Sequence, residues 1–300
     1  TNHIILINAI APILVLGTKI RLQKMENYLT RNLDWKKKEI GNLCDELPLW
    51  SSPFGLLLLD NFPIGEYENY LDIGYGTGFP LIEISQRLGN NCNCYGIDQW
   101  EAASQRAEFK IKTANVENIT LINGDASKIE FPESYFDLIT SNLGINNFEN
   151  PLQVLHECKR VLRPNGSICF TSNLTGTFSV FYQIFRETLN ELGLEKYESR
   201  LNEHINHRGT IESTHLLIEK SGLKIYKQEI SEYKMRFLNG TTFLNHSFII
   251  IAFIDSWRNM FDEEDKVNFF ERFEAKLNEY GKEKGELCLT IPMIYIECRK

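Results

Sequence analysis

The chain has 300 residues, of which 43% are hydrophobic, and its formal net charge is -8. A chain of this length can bury a substantial core, and we expect one domain with insertions. The acidic balance argues against a broad nucleic-acid surface, so the basic run at 36–38 is interpreted as the solvated face of a helix. These features favour a small-molecule partner, and no nucleic acid is expected.

The cysteines and one apolar run bear on the compartment. Seven cysteines are scattered without a C-x-x-C pair, which predicts a reducing, cytoplasmic location. Cys92 and Cys94 share one face of a predicted strand, but two thiols make an incomplete site, so no metal is expected. The apolar run at 4–17 falls short of the roughly 20 residues that cross a bilayer, so no membrane is expected as a partner. Residues 1–24 precede an ordinary start at Met25 and are interpreted as a non-native or disordered leader.

Residues 25–69 have a helical, amphipathic pattern and are expected to form an N-terminal helical cap. The pattern breaks around Trp50 and Phe54. These two aromatic side chains could fold over a ligand as part of a substrate pocket, or they could staple two helices together. Both interpretations remain open from the sequence.

The stretch from 70 to 80 is predicted to be a buried strand, a glycine loop and the first turn of a helix. Gly74, Gly76 and Gly78 stand on alternate positions, where they let the backbone bend sharply and approach a ligand. The amides of the following helix would face that ligand. A dinucleotide fingerprint is G-x-G-x-x-G, whereas this loop is G-x-G-x-G behind Asp72, so a nicotinamide or flavin site is the second choice.

The arrangement Asp72-x-Gly74-x-Gly76-x-Gly78 resembles the first motif of the class I S-adenosylmethionine (SAM) dependent methyltransferases. Tyr75 stands where that family more often has a small residue. The resemblance implies a Rossmann-like, doubly wound α/β fold with seven mostly parallel strands and helices on both faces. It also implies that SAM is bound by these five residues and that S-adenosylhomocysteine is the product.

A second predicted strand, 93–98, ends in Asp98, which lies twenty residues after Gly78. This matches the ~20-residue interval at which an acidic residue takes ribose hydroxyls, because a carboxylate can accept from two neighbouring hydroxyls. Asp98 could also cap the helix that follows. Gln99 and Trp100 come next, and either could cover one face of an adenine.

A third predicted strand, 119–123, is followed by a turn that contains Asp125. The resemblance implies that the Asp125 side chain accepts a hydrogen bond from the adenine amino group and that the Ala126 amide meets a ring nitrogen. An aspartate in an ordinary turn is the alternative. The ligand role is preferred because three successive strands end in aspartate at one edge, where open α/β sheets bind ligands.

The fourth predicted strand, 136–142, leads to the place where the resemblance implies methyl transfer. Methyltransferases that act on amide or adenine nitrogens commonly have Asn/Asp-Pro-Pro-aromatic there, whereas this chain has Asn-Leu-Gly-Ile from residue 142. This difference argues against methylation of a base or a glutamine. Asn142 and Asn146 could orient a cofactor or substrate, or they could only tie down the loop.

The resemblance covers 70–173, and two helical insertions are predicted beyond it, at 174–209 and 237–286. Their aromatic faces are expected to cover the substrate pocket or to form a dimer surface, so the chain is expected to be a monomer or a homodimer. In the family the last strand enters antiparallel to its neighbours. Pro292 within it suits a bulge or an edge strand.

SAM chemistry needs a general base only for some acceptors, and His246 is the predicted catalytic candidate. The pair His204-x-x-His207 has metal-like spacing, but the sequence shows no third ligand. We expect an enzyme that methylates a small, apolar or aromatic acceptor by in-line displacement. The alternatives are a SAM-binding or nucleotide-binding regulatory module without chemistry, and an oxidoreductase that binds nicotinamide dinucleotide.

Overall fold

The chain forms a mixed sheet of seven strands with helices on both sides. The computed structural model describes residues 28–31, 33–46 and 49–300. The strands are β1 Asn69–Ile73, β2 Asn93–Asp98, β3 Ile119–Asn123, β4 Phe136–Asn142, β5 Leu162–Asn173, β6 Lys224–Phe237 and β7 Leu287–Arg299. Their order across the sheet is β3-β2-β1-β4-β5-β7-β6, which confirms the predicted fold.

A helix follows β1, β2 and β4, whereas β3 and β4 are joined by a segment in which the structure shows no helix, and most of the other helices lie after β5. They are α1 Lys38–Glu46, α2 Ser51–Asn61, α3 Leu81–Leu88, α4 Glu101–Thr113, α5 Pro151–Val161, α6 Ser179–Glu191, α7 Glu198–Asn206, α8 Ile211–Ser221, α9 Gly240–Leu244, α10 Ser247–Ala252, α11 Ile254–Arg258 and α12 Glu263–Lys284. The described part of the predicted N-terminal cap thus contains α1, α2 and a short helical stretch at 28–30.

Strand β1 lies in the parallel part of the sheet and is buried along its whole length. It pairs with β2, where Ile73 lies opposite Ile97, and with β4, where Asp72 lies opposite Thr140. Strand β3 continues the parallel set beside β2. Because parallel strands run in one direction, the carboxyl ends of all four meet at one edge, where such sheets bind ligands.

Separate apolar clusters cover the two faces of the sheet, because successive side chains of a strand point to opposite sides. Leu71 belongs to a cluster with Val154 of α5 and Ile218 of α8. The preceding residue, Tyr70, belongs to the other cluster, with Leu58 of α2. The helices on both faces therefore follow from strands that are apolar on both sides.

Strand β7 runs antiparallel to β5, with Asn173 opposite Met293, as predicted for the last strand. The idea that Pro292 marks an edge is wrong, because β7 lies between β5 and β6. Pro292 lies just where β5 ends, and its carbonyl accepts a hydrogen bond from the Leu174 amide at 3.0 Å. Proline keeps its carbonyl and lacks only the N–H, so this contact is open to it.

The described chain divides into two compact units, and the sheet lies in the larger one except for the end of β6 and the start of β7. The other unit contains 180–204, 236–288 and the described part of 28–33. Its core is aromatic: the ring centroid of Phe181 lies 4.3 Å from that of Trp257 and 4.9 Å from that of Phe273, and all three side chains are fully buried. The single-domain organisation and the covering of a pocket by these helices stay predictions.

Three observations bear on the compartment. The interpretation of 1–24 as a leader falls outside the described residues. Within the described ranges, every helix is too short or too polar to cross a bilayer. Each of the seven cysteines is a free thiol.

Candidate functional site

A cavity of about 750 Å³ opens where β1, β2 and β4 end and where the turn after β3 begins. This is the edge of the sheet that the sequence predicts for ligand binding. The predicted cofactor residues that line the cavity are Gly74, Asp98, Gln99, Trp100, Asp125, Ala126 and Asn142. Asp72, Tyr75, Gly76 and Gly78 are not among its lining residues.

The glycine loop after β1 adopts a backbone conformation that only glycine takes without strain. The φ angles are +77° at Gly74, +52° at Gly76 and +100° at Gly78. A Cβ atom added to Gly76 would meet no atom within 4 Å, so the space beside this residue is open. The loop therefore exposes bare backbone next to the cavity.

Asp98 is held by two backbone amides. The Gly76 amide donates to Oδ2 at 2.7 Å, and the Trp100 amide donates to Oδ1 at 2.8 Å. Each carboxylate oxygen has a second lone pair, so both can accept one more hydrogen bond. The two amides fix the plane of the carboxylate, which suits a ligand with two neighbouring hydroxyls. The alternative role of Asp98, as a helix cap, is limited to accepting the hydrogen bond from the Trp100 amide, which lies just before α4.

Asp72 ends up fully buried at the end of β1. The Thr140 hydroxyl donates to its Oδ1, while Oδ2 is buried and has no partner among the described residues. Burial raises the pKa of Asp72 to about 7; the Thr140 hydrogen bond opposes this rise and the charge of Asp98 adds to it. A cationic ligand group would favour the ionised form of this carboxyl.

Tyr75 is also buried, and its hydroxyl pairs with that of Ser104 at 2.7 Å. The ring occupies space that Gly96 of β2 leaves free, because a Cβ on Gly96 would lie 2.7 Å from Cδ1 of Tyr75. This explains how the chain fits a large residue into the glycine loop. The side chain points away from the cavity, so only the backbone of Tyr75 is left for the predicted cofactor contact.

Two tryptophans meet at one side of the cavity. The Trp100 indole Nε1 donates to the Trp35 carbonyl at 2.8 Å, and the two ring centroids are 5.4 Å apart in an edge-to-face arrangement. Trp35 is 41% exposed. Trp100 is thereby fixed as a lining residue beside Asp98. Sequence reasoning missed Trp35, because nothing in its local pattern relates it to Trp100.

Asp125 forms a tight turn with Ser127. Its two carboxylate oxygens accept from the Ser127 amide and hydroxyl, each at 2.8 Å. The hydrogen bond from the Ser127 backbone is the main cause that lowers the pKa of Asp125, so it is an anionic acceptor at the cavity. The next residue, Ala126, is buried and also lines the cavity.

Asn142 uses both ends of its side-chain amide within the protein. Nδ2 donates to the Ser51 carbonyl at 3.1 Å, and Oδ1 accepts from the Thr171 hydroxyl at 2.7 Å. The side chain thus ties the start of α2 to β4 and β5. This observation favours the loop-tying role that the sequence left open.

The three predicted substrate-pocket residues lie outside the lining of this cavity. The Trp50 ring contacts Phe54, with centroids 5.7 Å apart, and Phe178 at 5.9 Å. These contacts favour the helix-stapling interpretation of Trp50. Asn146 lies between the lining residues Gly144 and Asn147. Their roles in a substrate pocket stay predictions.

Gly144 is a lining residue that sequence reasoning missed. A Cβ there would lie 2.3 Å from the Ser141 hydroxyl oxygen and 3.1 Å from the Ile73 carbonyl oxygen, so only glycine lets this turn approach β1. The signal available in the sequence was a glycine two residues after the fourth predicted strand. Asn150, at the start of α5, also lines the cavity and accepts from the Gln153 amide at 3.1 Å.

The histidines have distinct surroundings. His246, the predicted base, lies edge-on to Phe237 at 5.4 Å, and burial lowers its pKa. Its Nδ1 is buried and has no partner among the described residues. In the pair with metal-like spacing, Nε2 of His204 is hydrogen-bonded to the Tyr182 hydroxyl at 2.9 Å. Nε2 of His207 lies 3.2 Å from the Asn146 carbonyl oxygen. A catalytic role for His246 stays a prediction.

The fold and the site define a class: a Rossmann-like α/β protein with a cavity at the carboxyl ends of its parallel strands. The family model described as "Methyltransferase domain" matches residues 71–170. A demethylmenaquinone methyltransferase of Listeria welshimeri is 33% identical over 129 residues, which cover 42% of this chain and 55% of that enzyme. The chain thus spans about half the length of the curated relatives it matches.

Two solved structures share the fold at low sequence identity. The YcgJ protein of Bacillus subtilis is 16% identical with a TM-score of 0.53, and the alignment covers 83% of this chain and 98% of that one. Phosphoethanolamine N-methyltransferase 2 of Haemonchus contortus, solved with S-adenosylhomocysteine, is 16% identical with a TM-score of 0.50, over 84% of this chain and 53% of that one. Over residues 71–170 the chain is similar to methyltransferase domains, which supports its resemblance to the class I SAM-dependent methyltransferases.

The residues at the cavity fit this cofactor. Asp98 offers two fixed acceptor oxygens for the ribose, and Gly74 presents bare backbone at the cavity wall. Asp72 does not line the cavity, and its buried Oδ2, unpartnered among the described residues, belongs to the residue before the lining residue Ile73. A phosphate at Asp98 would be repelled by its carboxylate, which disfavours a phosphorylated ribose.

Proposed function

We propose that the chain transfers a methyl group from SAM to a small, apolar or aromatic acceptor. The observation that carries this proposal is the Asp98 carboxylate, fixed by the Gly76 and Trp100 amides at the wall of a cavity in a methyltransferase domain. SAM supplies a methyl group that is already activated on a sulfonium. The protein therefore has mainly to position the reactants and to exclude water.

Four lining residues and the buried Asp72 have a proposed part in holding SAM. Asp98 accepts from the ribose hydroxyls, and Asp125 with the Ala126 amide recognises the adenine edge. Trp100 covers one face of the adenine, since its ring is fixed by the hydrogen bond to Trp35. Asp72 balances the cationic end of the cofactor, because its buried Oδ2 has no other partner among the described residues.

The acceptor is proposed to be quinone-like. Two relatives, 33% identical over 129 residues and 35% identical over 115 residues, are named demethylmenaquinone methyltransferases. The loop after β4 has Asn-Leu-Gly-Ile in place of the motif common in base and amide methyltransferases, which agrees with a non-nucleic-acid acceptor. We also propose a reducing compartment such as the cytoplasm, because all seven cysteines are free thiols.

The first experiment is isothermal titration of the purified chain with S-adenosylhomocysteine and, separately, with NAD. We expect micromolar binding of S-adenosylhomocysteine that is lost in Asp98→Ala and kept in Asp60→Ala, which changes an exposed carboxylate on α2. If the chain bound NAD and did not bind S-adenosylhomocysteine, the proposal would be refuted in favour of an oxidoreductase. Binding without methyl transfer to any quinol or phenol acceptor would favour the regulatory module.

A further inference from the structure

Helix α1 and the residues just before it contact the part of the chain that holds Asp98. α1 lies outside residues 71–170, over which the chain is similar to methyltransferase domains. The Asp98 carboxylate is held by the amides of Gly76, in the glycine loop, and of Trp100, just before α4. Three contacts from 35–45 reach the elements that carry these two amides.

The first contact joins Trp35 to Trp100. The Trp100 indole Nε1 donates to the Trp35 carbonyl at 2.8 Å, and the two rings lie edge to face. The backbone amide of the same Trp100 donates to Oδ1 of Asp98. Trp100 is therefore held at its side chain by the segment before α1 and at its backbone by Asp98.

The second contact is a close approach of two helix backbones. Gly41 of α1 is buried, and a Cβ atom added to it would lie 2.5 Å from the carbonyl oxygen of Ala102 and 3.4 Å from the backbone nitrogen of Ala103. These atoms belong to the first turn of α4, directly after Trp100. The backbone of α1 thus lies against the start of α4, and only glycine at position 41 permits this distance.

The third contact is ionic. Asp45 of α1 accepts from Nε of Arg106 at 2.7 Å and from Nζ of Lys110 at 2.5 Å, and its side chain is only 12% exposed. Burial by itself would raise the pKa of Asp45, but hydrogen bonds from Lys110, Arg106 and the Thr77 hydroxyl outweigh it and lower the pKa. Asp45 is therefore an anion that ties α1 to α4, and Thr77, which follows Gly76, extends this tie to the glycine loop.

We propose that Asp45 is a positioning residue of the cofactor site, which holds α1 against α4 and the glycine loop and thereby fixes the two amides that set the plane of the Asp98 carboxylate. This inference rests on the proposed function and extends the cofactor site beyond residues 71–170. A carboxylate held in one plane can accept from two neighbouring hydroxyls at once, whereas a carboxylate that turns freely must lose entropy to do so. The contribution of Asp45 is therefore largest for a ligand with both ribose hydroxyls.

A contact that only stabilised the fold would behave differently. Asp45→Asn keeps the size of the side chain but leaves Arg106 and Lys110 without a carboxylate between them, so some loss of stability is expected in either case. A general loss of stability would act on the whole sheet and would leave the preference between two similar ligands unchanged. The tests therefore measure local amide exchange and a ratio of two affinities.

The first test is hydrogen–deuterium exchange of the protein without any ligand. In Asp45→Asn we expect exchange about tenfold faster or more in peptides that contain the Gly76 and Trp100 amides, with an unchanged rate in a peptide from β5. Glu46→Gln changes an exposed carboxylate on the same helix and should leave all three rates unchanged. Unchanged exchange at Gly76 and Trp100, or an equal acceleration in β5, would overturn the proposal.

The second test compares adenosine with 2′-deoxyadenosine by titration calorimetry. Both probes are uncharged, so the charge of Asp45 does not act on them directly. The unmodified chain should bind adenosine about tenfold more tightly or better, because Asp98 accepts from the 2′-hydroxyl, and in Asp45→Asn this ratio should fall below about threefold. A ratio that stays the same would overturn the role of Asp45 while leaving the proposed function intact, whereas an unmodified chain that binds neither probe would refute the proposed function and this inference together.

A second variant reaches the same helix without a change of charge. Gly41→Ala places a Cβ against the Ala102 carbonyl and should push α1 away from α4. We expect the same faster exchange at Gly76 and Trp100 and the same fall in the adenosine ratio. If Asp45→Asn changed the ratio and Gly41→Ala did not, the effect would come from charge and not from the position of α1, and the proposal would be wrong.

Discussion

Replacing Asp72 by asparagine removes a charge from a fully buried position while keeping the size of the side chain. The pKa of Asp72 is raised from 3.8 to about 7, mainly by burial. The pKa of Asp72 is higher in the folded protein than in the unfolded chain. The native state therefore binds more protons than the unfolded state between about pH 4 and about pH 7. The stability contributed by this group is complete below about pH 4 and is lost as the pH rises to about 7.

The size of this loss follows from the shift. About three units at ~1.4 kcal/mol each give about 4 kcal/mol, of which about 2–3 kcal/mol falls between about pH 5 and pH 8. Urea unfolding followed by tryptophan fluorescence measures it at several pH values. We expect the unfolding free energy of the unmodified chain to fall by that amount relative to Asp72→Asn over this interval.

The control for Asp72→Asn is Asp60→Asn, which removes a charge from an exposed site on α2. Its pH dependence should follow that of the unmodified chain. If Asp72→Asn had the same pH dependence as the unmodified chain, the pKa of Asp72 would not be raised in the folded protein, and the reasoning from its burial would be refuted.

Three further predictions concern other parts of the chain. Gly144→Ala places a Cβ 2.3 Å from the Ser141 hydroxyl oxygen, so we expect S-adenosylhomocysteine affinity to fall at least tenfold by titration calorimetry; unchanged affinity would show that the turn can move. Phe181→Ala empties the centre of the aromatic core and should lower the unfolding free energy by about 3–5 kcal/mol in urea, against less than 1 kcal/mol for the exposed Val267→Ala. Burial lowers the pKa of His246, so the stability that this group contributes is lost as the pH falls below about 6.5. His246→Gln should therefore reduce the fall in unfolding free energy at acidic pH. An equal fall in the variant would show that other groups cause it.

The sequence by itself determined the central part of the fold. The alternation of strands and helices between 70 and 173, together with the G-x-G-x-G loop, predicted a parallel sheet with a ligand at its carboxyl edge. These signals are local, because strand burial, glycine conformation and helix starts depend on neighbouring residues. Asp98 was predictable for the same reason, since its spacing from the loop is fixed by one helix and one strand.

Only the tertiary structure decided which side chains meet. Tyr75 turns into the core because Gly96, on the neighbouring strand, leaves room for its ring. Trp35 joins Trp100 across 65 positions of sequence. The ring of His207 lies 3.2 Å from the carbonyl of Asn146, 61 positions away in the sequence. Such contacts depend on packing between elements that are remote in the chain, and no local pattern encodes them.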